Sequence, residues 1–155
     1  MFQSRVERTP AGDIRLHLAD EERGLLREVA DELSSLLDEA PDDPSLRRLF
    51  PPAHDDEELE REYRELTRGQ LDAGRQHSIE TLRETAEREL LTPEEADAWL
   101  RALNDARLVL GTRLDISEDF DWDAFDANDA QAPELALYAY LSWIQEQLVA
   151  ALSEG

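Results

Sequence analysis

The sequence predicts a mainly α-helical protein, a helical bundle of about four long helices with a short N-terminal β-hairpin packed on it. Two observations carry this prediction. Apolar residues recur at helical spacing in four long segments, whereas alternation of apolar and polar residues is confined to the first part of the chain, 1–18. At 155 residues the chain is expected to form a single domain, 1–155, which is long enough to bury a core without disulfides or metals.

The β-hairpin is predicted over residues 1–18. Its turn lies in the segment TPAGD, where Pro10 and Gly12 are typical turn residues. The alternating positions are Phe2, Ser4 and Val6 before the turn and Ile14, Leu16 and Leu18 after it. Because an isolated two-stranded hairpin is only marginally stable in water, we expect its apolar face to pack on the helices.

The four long helices are predicted over residues 20–40, 56–91, 93–113 and 133–153. Asp20 is expected to cap the first of them, since its carboxylate can accept a hydrogen bond from the first turn. A short helix from Pro44 to Leu49 follows, capped by Asp43.

Two features stand out in the middle helices. The apolar positions of segment 56–91 change sides near Gly74, which favours one long helix bent there over two separate helices. The motif LTPEEADAW is the strongest local signal in the chain. Thr92 is expected to be the N-cap, Pro93 the first helical residue and Glu95 the partner in a capping box.

Residues 115–132 form a predicted acidic loop. The loop has acidic residues at the first three alternate ligand positions of a calcium-binding EF-hand, namely Asp119, Asp121 and Asp123. However, Ala124 replaces the required glycine and Ala130 replaces the bidentate glutamate. We therefore predict no calcium site, and the three aspartates remain candidates for a partner-binding surface.

The net charge argues against direct binding of nucleic acid. The chain has 38 acidic and 16 basic residues, for a formal charge of −22, and all the basic residues are arginines. Affinity for nucleic acid depends mainly on neutralising phosphates. A row of arginines does follow one side of the long helix, at Arg61, Arg64, Arg68 and Arg75, but acidic residues share that side. We expect paired surface charges there, and Arg61, Arg64 and Arg68 join the candidate partner surface.

No catalytic motif is recognisable. The chain has no cysteine, which excludes disulfides and thiolate chemistry, and its three histidines have no metal-ligand spacing. Nucleophile-elbow, phosphate-loop and dinucleotide motifs are also missing. We therefore expect no enzymatic activity, no cofactor and no metal. The N-terminus lacks a signal-peptide core and no apolar run could span a membrane, so a cytoplasmic location is expected.

One helical stretch, WLRALNDARLVLGTRLDI at residues 99–116, contains unexpected polar residues among its leucines. On a helical wheel Arg107 and Arg113 lie inside or at the border of the apolar arc, and Asn104 lies beside Arg107. Either Arg107 is a buried structural clamp, or Arg107 and Asn104 form an anion-binding site. We favour the clamp, with Arg107 bonded to a carboxylate or to main-chain carbonyls. Its candidate acids are Asp105, those of the loop and those of segment 55–65.

Three segments together resemble an actinobacterial family of unknown function, some of whose members are described as oxidative-stress transcriptional regulators. These segments are RLFPPAHDDEELEREYRELT at 48–67, the stretch at 99–116, and YAYLSWIQEQLVAAL at 138–152. The resemblance implies a cytoplasmic, non-enzymatic regulator that works through transcription machinery such as a sigma factor. Components of the Clp system are a second implied class of partner. Redox switching through a cysteine pair is not open to this chain.

Three functional hypotheses follow. The leading one is a regulatory protein that acts by protein–protein contacts, because an acidic surface attracts and steers basic partners. The second is an adaptor or scaffold in Clp-type regulated proteolysis. The third is a small enzyme or ligand-binding domain that uses Arg107 and Asn104 as its polar site.

Overall fold

The structure is a computed structural model that describes residues 5–40, 43–46, 48–49, 56–114 and 131–153, with only the backbone described at 60 and 63–72. The described part contains four long α-helices and a small antiparallel sheet, as predicted. The helices are α1 (Asp20–Glu39), α2 (Glu57–Thr85), α3 (Pro93–Arg113) and α4 (Ala132–Ser153), and a 3₁₀ helix covers Pro44–Leu46. The strands are β1 (Val6–Arg8), β2 (Ile14–Leu16) and β3 (Leu90–Leu91).

The predicted hairpin is present, with shorter strands than expected. β1 pairs with β2 so that Val6 faces Leu16, and both side chains are buried. In the turn, the Thr9 amide donates to the Asp13 carbonyl at 2.8 Å and the Gly12 amide donates to Thr9 at 2.9 Å. Gly12 has a φ of 98°. This conformation costs glycine little free energy because glycine has no Cβ.

The predicted extension of the second long helix to Leu91 was wrong. α2 ends at Thr85, and Leu90–Leu91 forms a third strand on the free edge of β2. Ile14 of β2 pairs with Leu91, whose side chain is 1% exposed. Pairing therefore satisfies edge amides of the hairpin and buries a leucine in the core, which outweighs the helical preference of the local sequence.

The first helix begins one residue away from the predicted cap. Ala19, not Asp20, is the N-cap residue, and Asp20 is the first helical residue. Glu22 accounts for the shift, because its carboxylate accepts a hydrogen bond from the Ala19 amide at 3.3 Å. The acidic first turn still matches the positive end of the helix dipole.

The other predicted caps are confirmed. Asp43 accepts hydrogen bonds from the amide and hydroxyl of Ser45, which lower the pKa of the Asp43 carboxyl. At α3, Thr92 accepts from the Glu95 amide at 3.1 Å and Glu95 accepts from the Thr92 amide at 2.9 Å. This reciprocal pair is the predicted capping box, and it defines the start of the helix that crosses the centre of the bundle.

The helices pack in sequence order. α1 packs on α2, α2 on α3, and α3 on α4, while α4 also packs on β1. α3 is the central element: Trp99 and Leu103 are completely buried, and the Trp99 indole donates to the Thr85 hydroxyl at 2.7 Å. α2 is one continuous helix, as predicted, and the proposed bend at Gly74 stays a prediction. No helix in the described residues is long and apolar enough to cross a membrane.

Candidate functional site

Arg107, the predicted clamp, lies between α3 and α4. Its guanidinium donates a hydrogen bond to the side-chain amide oxygen of Gln145 and lies 5.5 Å from the centre of the Tyr138 ring. Its side chain is half-buried. The expected burial was therefore too deep, and the partner that the described residues provide is a neutral amide, not the predicted carboxylate or carbonyl.

Asp105 belongs to a different polar contact, on the opposite side of α3. Its carboxylate lies 3.2 Å from Nε of Arg75 on α2, and Arg75 also donates to the Leu49 carbonyl at 2.7 Å. Burial raises the pKa of the Asp105 carboxyl, although the Arg75 charge opposes this shift. The pair joins α2, α3 and the chain after the 3₁₀ helix. Arg75, expected to be a surface charge, is half-buried instead.

The predicted polar cluster is thus not one site. Asn104 and Arg113 are exposed, Asp105 faces α2, and Arg107 faces α4. Asn104 and Arg107 are three residues apart and so are neighbours on the surface of α3. However, Asn104 is exposed, whereas the Arg107 guanidinium binds Gln145 of α4. The structure gives no support to an anion-binding pocket built from Arg107 and Asn104.

The buried arginine clamp exists elsewhere, at Arg23 of α1. Arg23 is 8% exposed, and its guanidinium donates to the carbonyls of Ala86 at 2.8 Å and Arg88 at 2.7 Å. A longer contact of 3.4 Å reaches the Leu16 carbonyl. The clamp therefore binds the end of α2 and strand β2 to α1. Sequence reasoning missed it because Arg23 lies in an acidic first turn, where an arginine normally pairs in solvent.

A second polar contact closes one end of the space between α1 and α4. The Tyr140 hydroxyl donates to Glu22 at 2.8 Å, and Arg5 forms an ion pair with the same carboxylate. Burial, and then the Glu22 carboxylate, raise the pKa of Tyr140. Arg8 adds a hydrogen bond to the Leu152 carbonyl at 3.2 Å. At this end, the hairpin and its side chains fill the gap between the two helices.

At the other end, the residues that the structure describes leave the gap open, and it forms a groove, which we call the α1–α4 groove. It has a volume of about 640 Å³ and lies between the C-terminal half of α1 and the start of α4, with α3 as its floor. One partly buried leucine from each helix lies in it: Leu36, Leu110 and Leu137. Its charged lining residues are Asp31, Glu32, Glu39, Arg113 and Glu134. The groove is apolar at its base and predominantly acidic at its rim.

The outer face of α4 is a second apolar surface. α4 has only two charged residues, Glu134 and Glu146, among 22 residues, whereas α1 has ten among 20. Trp143 is 37% exposed and Val149 is 47% exposed.

The remaining candidates for a partner surface are only partly described. Arg61 is exposed on α2, whereas the side chains of Arg64 and Arg68 lie outside the described residues, as do Asp119, Asp121 and Asp123. The residues that the structure describes contain no group of three or more histidine or acidic side chains suited to a metal ion.

The sequence of this chain matches a known family over nearly its whole length. Residues 3–152 match the family described as "Domain of unknown function (DUF2017)". The chain belongs to this family. The match covers the hairpin, α1, the groove and most of α4, so the elements that build the groove are all within the family's domain.

Three mycobacterial relatives have names that refer to a role. Proteins of Mycobacterium bovis and Mycobacterium tuberculosis named "Oxidative stress regulator AosR" are 28% identical over 188 residues, covering 96% of this chain and 86% of theirs. A Mycobacterium leprae protein that has the same name provisionally is 34% identical over 167 residues, covering 88% of this chain and 76% of its own. No solved structure matches the chain significantly.

Proposed function

We propose that this protein is a regulator in the response to oxidative stress and that it acts by binding another protein, without catalysis. The observation that carries the mechanism is the α1–α4 groove. Within the described residues the four-helix bundle is open between α1 and α4, where three of the helices each have a partly exposed leucine. Grooves of this kind accept an apolar segment of a partner, because burying that segment removes apolar surface of both proteins from water.

The family relationship supports the regulatory part of the proposal. The relatives named as oxidative stress regulators cover nearly all of this chain, so the shared region includes every element of the groove. The chain has no cysteine, so its signal cannot be a thiol of its own. Regulation would then depend on the amount or state of the partner. The proposed partner is a component of the transcription machinery, such as a sigma factor, and the proposed location is cytoplasmic.

A genetic experiment tests the role. A strain of the source organism that lacks the gene is exposed to peroxide, and transcripts of oxidant-defence genes are measured. We expect altered transcript levels that the wild-type gene restores. Unchanged transcripts and unchanged survival would contradict a regulatory role.

A pair of variants on the same helix tests the mechanism. Leu137→Glu places a carboxylate inside the groove, whereas Val149→Glu places one on the outer face of α4. After thermal melts have shown that both variants fold, the Val149 variant should restore the response and the Leu137 variant should not. The reverse result would move the contact to the outer face. If affinity purification of this protein recovers Clp components instead of transcription proteins, that result would favour the adaptor hypothesis.

A further inference from the structure

We infer that the α1–α4 groove binds an amphipathic α-helix of the partner with a basic polar face. This inference rests on the proposed function, because it names the chemistry of the partner that the groove accepts. It depends on the shape of the groove, on the charge of its rim, and on how that charge is paired.

The shape suits a helix about three turns long. The lining residues of α1 extend from Val29 to Ala40, a length of about 16 Å at 1.5 Å rise per residue. Consecutive helices pack against one another, and no helix within the described residues lies in the space between α1 and α4. A fifth helix placed there would contact Leu36, Leu110 and Leu137 with residues spaced i, i+3, i+4 and i+7.

The rim determines the sign of the partner's charge. Four carboxylates and one guanidinium line the groove. Asp31 is already paired with Arg83 at 3.3 Å, but Glu32, Glu39 and Glu134 have no ion-pair partner within the described part of the chain. These three carboxylates come from both walls, so lysine or arginine residues flanking the apolar stripe of a bound helix could reach either side.

The charge also argues against a second copy of this chain as the occupant. A second copy carries the same charge of −22, so its approach to an acidic rim is repulsive.

The test uses synthetic peptides and the purified full-length protein. The probe is a 14-residue helical peptide with leucines at i, i+3, i+4 and i+7 and lysines on the opposite face, labelled with a fluorophore for anisotropy measurements. A scrambled peptide of the same composition has no apolar stripe, and a third peptide has glutamates in place of the lysines. We expect the amphipathic basic peptide to bind and the other two to bind at least about tenfold more weakly.

Matched charge variants then locate the site, since any cationic peptide is attracted to an acidic protein. Glu32→Gln with Glu134→Gln removes two rim charges, and Glu57→Gln with Glu62→Gln removes two exposed charges of α2. The rim variant should weaken peptide binding about fivefold, whereas the α2 variant should change it less than twofold. Equal effects of the two variants, or equal binding of the scrambled peptide, would overturn the proposal.

Amide chemical shifts provide a readout that does not depend on charge. In a 17.7 kDa protein, addition of the peptide should shift the amides of Leu36, Leu110 and Leu137. Shifts confined to Trp143 and Val149 would place the peptide on the outer face of α4 and would also overturn the proposal. These measurements use purified protein, so a negative result would reject the basic helix as the ligand of the groove. The regulatory role would still be decided separately, by the genetic test.

Discussion

Replacing Arg23 with methionine should destabilise the protein more than the same change at Arg107. Arg23 is 8% exposed and donates two hydrogen bonds shorter than 3 Å to the carbonyls of Ala86 and Arg88, directly after α2. A hydrogen bond from a charged group contributes about 1.5–3 kcal/mol, and the carbonyls left without a donor would remain buried. Removing the guanidinium also recovers part of its desolvation cost. The net loss in the free energy of unfolding should be about 2–4 kcal/mol.

The matched substitution Arg107→Met provides the comparison. Arg107 is half-buried, and the described residues offer it one amide acceptor and one aromatic ring. Its loss should therefore cost about 0.5–1.5 kcal/mol. Both substitutions keep an apolar stem, so differences in packing contribute little to the contrast.

Thermal melts followed by circular dichroism, together with urea denaturation, measure the difference. At this chain length 1 kcal/mol corresponds to about 2–4 °C in Tm, so Arg23→Met should lower Tm by about 4–16 °C. Arg23→Lys should fall between wild type and methionine, because a single ammonium cannot reach both carbonyls with the same geometry. A shift below about 2 °C for Arg23→Met, or one no larger than that of Arg107→Met, would refute the assignment of Arg23 as the clamp.

Three further predictions concern the cap of α3, the buried ion pair and the surface charge. Thr92→Ala should cost about 1 kcal/mol, seen as a fall in Tm of about 2–4 °C, and an unchanged melt would mean that the capping box contributes nothing. Burial raises the pKa of the Asp105 carboxyl in the folded protein, so folding favours the protonated form. The stability that this carboxyl contributes is therefore present at low pH and is lost as pH rises through the folded-state pKa. Asp105→Asn should therefore gain stability relative to wild type in urea melts as pH rises above about 4, the ordinary pKa of an aspartate, and a relative loss would show that the Arg75 charge outweighs burial. The purified protein should not shift duplex DNA in a gel at about 0.15 M salt, and tight sequence-specific binding would mean that its charge of −22 conceals a basic face.

The comparison of Arg23 with Arg107 shows where helical periodicity stops being informative. A wheel shows which side of a helix a residue occupies, and it placed Arg107 at the border of an apolar arc. Whether such a residue is covered depends on the neighbouring helix, and α4 leaves Arg107 half-exposed beside Gln145. Arg23 is covered because the chain after α2 passes over it, and Ala86, which accepts its hydrogen bond, lies 63 residues later in the sequence.

The same reasoning applies to the candidate site. Leu36 and Leu110 belong to apolar stripes that predict a buried core, and Leu137 lies one turn before Leu141 on the same side of α4. They remain partly exposed because no helix within the described residues covers the groove between α1 and α4. A stripe of leucines has the same pattern whether it faces a core or a groove, so the groove had no sequence signal of its own.

The sequence by itself determined the features that depend on residues within a turn or two of one another. The capping box at Thr92, the Asp43 cap, the hairpin turn at Gly12 and the four helical stripes are of this kind. Composition likewise settled the absence of thiol chemistry. Only the tertiary structure decided which polar side chains are buried, that Leu90–Leu91 forms a strand, and that Asp105 pairs with Arg75 across two helices. These outcomes depend on which surfaces meet, and the free energy of a buried charge or of a strand edge is set by the partner that reaches it.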